Sequence, residues 1–199
     1  MTRSTYSSSH QAPDILLSPL STKPRYRAYI TARHAFWKCF PSGRYMRIPT
    51  GGTLTLECGL HALRLSIQHQ LPHILPVPTV EELRSVYESS ETIRIGNELT
   101  GMGNENWFTV DQLGVVFTEW GRQAVKERRV RCQLGYVAEG EWPVLLGTPE
   151  VGVGEEEGES NEEKGEIVRV WVWNDGLSLA GGVGHFEGMR RPIEEELRR

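Results

Sequence analysis

Cysteine is scarce in this chain of 199 residues: Cys39, Cys58 and Cys132 are an odd three, with no C-x-x-C pair and no metal-ligand spacing. That scarcity argues against a disulfide scaffold or a zinc module, and it predicts a reduced intracellular compartment, cytoplasmic or nuclear. Long apolar runs are missing as well. No stretch approaches membrane-spanning length, and the first residues carry Ser, Thr and Pro instead of a basic start and an apolar core, which predicts an unsecreted protein with no membrane partner. Positive charge is in deficit: 22 Lys and Arg stand against 26 Asp and Glu, a formal net charge of -4. Nucleic acid is therefore not expected as the main partner. What is present is a chain long enough to bury a substantial core without cross-links.

Residues 1–23 read as a disordered N-terminal arm whose one apolar cluster is Ile15-Leu16-Leu17. From Pro24 to Ile48 aromatic and basic residues interleave, a pattern also used to hold single strands of nucleic acid. In an acidic chain the same stretch reads as an irregular, partly packed lead-in or a basic surface facing a partner. A helix is predicted from Cys58 to Gln70, with Leu60, Leu63, Ile67 and Leu71 at helical spacing and Pro72 beyond its end. A second starts at the capping box Thr79/Glu82, with Val80, Leu83, Val86 and Tyr87 as its stripe. A third starts at the box Thr109/Gln112, carries Leu113, Val116, Phe117 and Trp120 inward, and is expected to stop at Gly121.

Thereafter the period is two. Val130–Val137 and Trp142–Leu146 read as strands about a Glu139-Gly140 turn, followed by Ile167–Trp173 and a last strand from His185 to Met189. The block 152–166 of Glu, Gly, Ser and Asn reads as a flexible acidic insertion, and 191–199 as a charged tail. Helices followed by strands predict one α+β domain over residues 24–190, with helices packed on a small, mainly antiparallel sheet. Trp171 and Trp173 read as core aromatics, or as walls of a peptide groove.

Cys58 carries the strongest chemical signal. A Gly51-Gly52 turn and a short apolar strand run into its helix, so the thiol sits at a helix N-terminus, where free N–H groups and the dipole favour thiolate. The same residue also reads as a small buried hydrophobe. A nucleophile needs a base and a group to orient that base. Of six histidines, His61 lies one turn along the same helix, and His185 starts the last strand in Gly184-His185-Phe186-Glu187-Gly188. A base on a rigid strand suits a nucleophile on a helix start.

Cys58-Gly59-Leu60-His61-Ala62-Leu63 resembles the nucleophile motif of the ovarian tumour (OTU) cysteine peptidases, usually Asp-Gly-Asn-Cys followed by small or apolar residues and often His or Arg with Ala-Leu. His185-Phe186-Glu187 resembles that family's His-Tyr-Asn strand, and the segments Val80–Tyr87 and Trp107–Trp120 stand where its intervening helices do. The resemblance covers about Gly51 to Met189. It implies a papain-like fold of OTU type and hydrolysis of isopeptide bonds at the C-terminus of ubiquitin or a ubiquitin-like protein, with no metal or organic cofactor. Cys58 would be the nucleophile and His185 the general base and acid. Backbone N–H groups near Thr55, Leu56 and Cys58 would hold the oxyanion. The chain departs from the family at Thr55, where the motif has Asp, and at Leu56-Glu57 in place of Gly-Asn. Thr55 brings no carboxylate to His185, so the orienting role falls to Glu187, with Asn174 or Asp175 as alternatives, and Glu57 sets a like charge beside the thiolate. The departures leave a second expectation, a catalytically impaired OTU-like module that binds ubiquitin or another protein.

Overall fold

The computed structural model describes residues 24–50, 57–100, 108–125, 130–138, 141–146, 166–175 and 185–198. The N-terminal arm and positions 152–165 of the acidic insertion lie outside them, as do Thr55 and Leu56. Helices and a mixed sheet alternate as α1 (Pro24–Cys39), β1 (Met46–Ile48), α2 (Cys58–Gln70), α3 (Val80–Ser89), α4 (Glu91–Thr100), α5 (Val110–Ala124), β2 (Val130–Ala138), β3 (Val144–Leu145), β4 (Glu166–Asn174), β5 (Phe186–Arg190) and α6 (Glu194–Leu197). The strands form one five-stranded sheet in the order β1-β5-β4-β2-β3.

The strand period sorts the core into two clusters, one on each face of the sheet. On β4, Val168, Val170 and Val172 face one cluster with Leu60, Leu63 and Ile67 of α2, Leu83 of α3, and Leu113, Val116 and Phe117 of α5. Trp171 and Trp173 face the other, with Ala32, Ala35 and Phe36 of α1 and Met189 of β5. Both tryptophans are thus core residues: Trp171 is 0% and Trp173 6% exposed. Trp171 meets Phe36 edge to face at 5.2 Å, and its ring lies so close over Gly135 that a Cβ there would overlap it. Glycine is needed at that point of β2 for close approach.

Both capping boxes form. Thr79 Oγ1 accepts from Glu82 N at 3.1 Å while Glu82 Oε2 accepts from Thr79 N at 2.7 Å, and Thr109 and Gln112 do the same at 3.2 and 2.8 Å. These two helices begin where their sequence punctuation places them.

Elsewhere the fold corrects the sequence-based expectations. The lead-in at 24–48 is not irregular: it is α1 followed by edge strand β1. Ala32, Ala35, Phe36, Cys39 and Phe40 recur at helical spacing and pack together under the sheet, and Pro24 opens the helix at a position that needs no N–H. Gly121 does not stop α5, which runs on to Ala124. Its missing side chain serves packing, since a Cβ there would overlap Cys132 Sγ.

Helix α4 was not anticipated. Its apolar face is thin, with Ile93 buried but Ile95 and Leu99 exposed, and its start is held by Ser90 Oγ, which accepts from Ile93 N at 3.3 Å and donates to Glu119 Oε1 at 3.0 Å. The expected strand at Trp142–Leu146 shrinks to Val144–Leu145, because Pro143 has no N–H for the ladder. Most pairings are antiparallel, but the longest, β2 with β4 from Val130↔Glu166 to Ala138↔Asn174, is parallel. Strands buried on both faces suit that arrangement. The tail contributes α6, fixed by Arg190, whose Nη1 and Nη2 donate to Glu196 Oε2 and Oε1 at 2.8 and 2.7 Å.

Candidate functional site

Helix α2 does not merely lie on the sheet; two of its side chains enter the ladder. Pairing of β4 with β5 runs Asn174↔Phe186, Trp173↔Glu187, Val172↔Gly188, and at the next position Ser66 and Gln70 take over. Gln70 Nε2 donates to Trp171 O at 2.7 Å and to Met189 O at 2.8 Å, and Gln70 Oε1 accepts from Trp171 N at 2.9 Å. Ser66 Oγ accepts from Met189 N at 2.9 Å. Both side chains are buried, so these bonds answer backbone groups that no water would reach.

A turn earlier, a Cβ on Gly188 would stand 2.9 Å from Leu65 Cβ and 3.5 Å from Ala62 O. Ser66 at Met189 and Ala62 at Gly188 show helix and strand running the same way. Cys58, the first residue of α2, is partly buried against the core cluster on the α2 face of the sheet.

Cys58 is partly buried and free. Its N-cap residue, Glu57, makes no side-chain cap hydrogen bond, so that side chain leaves the helix's first N–H groups unclaimed. The Glu57 carboxylate instead pairs with Arg84 of α3, which offsets the like charge beside the thiol. Gly59 lets this first turn press on α5: a Cβ there would meet Leu113 Cδ1 at 3.1 Å and Phe108 Cβ at 3.2 Å. Burial pushes Cys39 up from the ordinary thiol range and Cys132 up to about 11, each only partly offset by an arginine, Arg191 and Arg122 respectively.

At the start of β5, Thr50 Oγ1 donates to Phe186 O at 3.0 Å, so the chain leaves Thr50 at this same corner and re-enters the described residues at Glu57. His185 Nε2 lies 3.9 Å from Glu187 Oε1. Glu187 Oε2 lies 3.3 Å from Arg47 Nε of β1, and the Arg47 guanidinium sits 4.1 Å above the Trp173 ring. The register explains the grouping, because Trp173↔Glu187 and Arg47↔Met189 are cross-strand partners and share the α1 face. Asn174 and Asp175 touch the backbone of His185: Asp175 N donates to its carbonyl at 3.2 Å and Asn174 Nδ2 approaches the same oxygen at 3.5 Å.

The candidate residues therefore divide between the two faces of the sheet. Cys58 stands with α2, and His185 with Glu187 on the α1 side. Among the hydrogen bonds of the described residues, none joins Cys58 Sγ to the imidazole. His61 is placed elsewhere, lining an open groove of about 540 Å³ with Glu57, Arg64, Val77 and Glu81. Sequence reading missed Arg47, Ser66 and Gln70. A buried Ser and Gln four residues apart on an apolar helix face was the signal for the last two, while Arg47 belongs to a strand that the sequence did not disclose. Among the described residues no cluster of His, Cys, Asp and Glu is arranged to hold a metal ion, and no helix is long and apolar enough to cross a membrane.

Comparison with protein-family models, with curated proteins and with solved structures returned no match for the chain.

Proposed function

We propose that this protein is a thiol-dependent hydrolase of OTU type, with a papain-like arrangement, that cleaves isopeptide bonds of ubiquitin or ubiquitin-like conjugates. The observation that supports the reading is a free, partly buried cysteine in the first turn of α2, a helix that packs on β5 through Ser66 and Met189, with His185 and Glu187 at the start of that strand. In this reading the Cys58 thiolate attacks the carbonyl carbon and the His185 imidazole holds the proton. His185 then delivers that proton to the leaving lysine amine, and water releases the thioester. Glu187 orients the imidazole, and the backbone N–H of Cys58 faces the developing oxyanion together with the backbone at Thr55 and Leu56.

The test is covalent labelling by ubiquitin bearing a C-terminal electrophile. Wild type is expected to form a stable adduct, and Cys58→Ala and His185→Ala none. An adduct that persists in Cys58→Ala would refute the assignment of the nucleophile.

A second reading, a non-cleaving module that binds ubiquitin or another protein, is favoured by one observation: among the described residues no hydrogen bond joins Cys58 Sγ to the His185 imidazole. It predicts ubiquitin binding without an adduct.

A further inference from the structure

Arg47 has no place in the motifs of the sequence, yet it is the residue that holds Glu187. Its guanidinium lies flat over Trp173 at 4.1 Å, and that ring is 6% exposed and rooted in the core. Stacking on a fixed ring restrains a long side chain that is otherwise 48% exposed. From there Nε reaches Glu187 Oε2 at 3.3 Å, leaving Oε1 turned to His185 Nε2 at 3.9 Å. The Glu187 side chain is 16% exposed, and its two oxygens face two different side chains. The nitrogen that faces a carboxylate is the one that keeps its proton. Nε2 is the ring nitrogen on the Glu187 side, and a hydrogen bond closed between them would leave Nδ1 to take a proton from elsewhere.

We propose that Arg47 is a positioning residue of the thiol site: stacked on Trp173, it clamps Glu187 so that His185 is held in the Nε2–H form with Nδ1 free for Cys58. This rests on the hydrolase reading for its consequence in turnover, while the clamp itself is a property of the folded chain. It adds a member from β1, an edge strand, to a site otherwise built from α2 and β5. It also gives Trp173 a task beyond core packing.

The experiment is nitrogen NMR of the His185 ring at a pH where the imidazole is neutral, on the full chain, with turnover of a ubiquitin isopeptide substrate measured in parallel. Arg47→Met keeps an aliphatic stem over Trp173 and removes the donor, Arg47→Lys restores a charge without the planar fork, and Glu187→Ala removes the clamped group. Wild type is expected to show the Nε2–H form predominating. Arg47→Met and Glu187→Ala should each shift the ring toward a mixture of tautomers, and the double variant should do no more than either alone. In turnover, Arg47→Met should lower kcat by about tenfold with KM unchanged, the mark of a group that acts on the reacting centre, and Arg47→Lys should recover part of the loss. An unchanged His185 tautomer in Arg47→Met overturns the clamp, even where wild type hydrolyses the substrate. A tautomer shift in a protein that hydrolyses nothing upholds the clamp and overturns the hydrolase reading instead.

Discussion

Replacing Gln70 by Leu tests whether α2 is locked into the sheet by polar bonds or only by apolar packing. Leucine fills a similar volume and suits a helix, so a purely hydrophobic account expects a neutral or stabilising change. The geometry says otherwise. Gln70 alone answers Trp171 O, Met189 O and Trp171 N at the point where β4 and β5 part, and Gln70 is 7% exposed. Each buried backbone group left unsatisfied costs about 1–3 kcal/mol. Three such groups, less about 1–2 kcal/mol gained by burying an apolar side chain, leave a net loss of about 4 kcal/mol at the middle of the range. Urea unfolding followed by tryptophan fluorescence measures this as a lower midpoint with an unchanged slope. On the hydrolase reading proposed above, the same lock positions α2, so the rate of Cys58 labelling by a ubiquitin electrophile should fall further than the folded fraction does. A loss under about 1 kcal/mol would refute the account, because it would mean that the strands re-pair and satisfy one another without the helix.

Other outcomes follow from the same packing. Gly121→Ala gains helix propensity but drives a Cβ into Cys132 Sγ. A net destabilisation of about 2 kcal/mol is expected in wild type, much of it relieved in the background Cys132→Ala, and equal costs in both backgrounds would sink the steric explanation. Burial pushes the Cys132 thiol up from the ordinary thiol range to about 11. The native state therefore keeps a proton that the unfolded chain releases first, and stability should fall by about 2–3 kcal/mol as pH rises from roughly 9 to 11. Unfolding free energies across that interval should be flatter in Cys132→Ala; an identical slope would assign the loss to other groups.

How much of this was legible in the sequence differs from element to element. Helices α3 and α5 were, because each starts with a side chain that bonds its own backbone three residues on, a local arrangement that any context preserves. Helix α2 was legible from its apolar spacing, and β4 from valines that alternate with tryptophan and arginine. Helix α1 was obscured by arginines and aromatics that distract from a helical stripe of small and aromatic residues. Gly121 misled because glycine ends helices and also permits close packing, and only Cys132, from a later strand, decides between the two uses.

For the candidate site, the residue types were in the sequence: a cysteine at a helix start, a histidine at a strand start and a carboxylate two residues on, which a strand's period places on the same face. Those are local facts, set by backbone geometry within a few residues. Tertiary structure alone decided the rest: that Ser66 and Gln70 fasten α2 to β5, that Arg84 answers Glu57, and that Arg47 comes from an edge strand to share Glu187 with His185. Each depends on pairing between segments far apart in the chain, and that pairing is settled by which faces can be buried together, a property no short stretch of sequence contains.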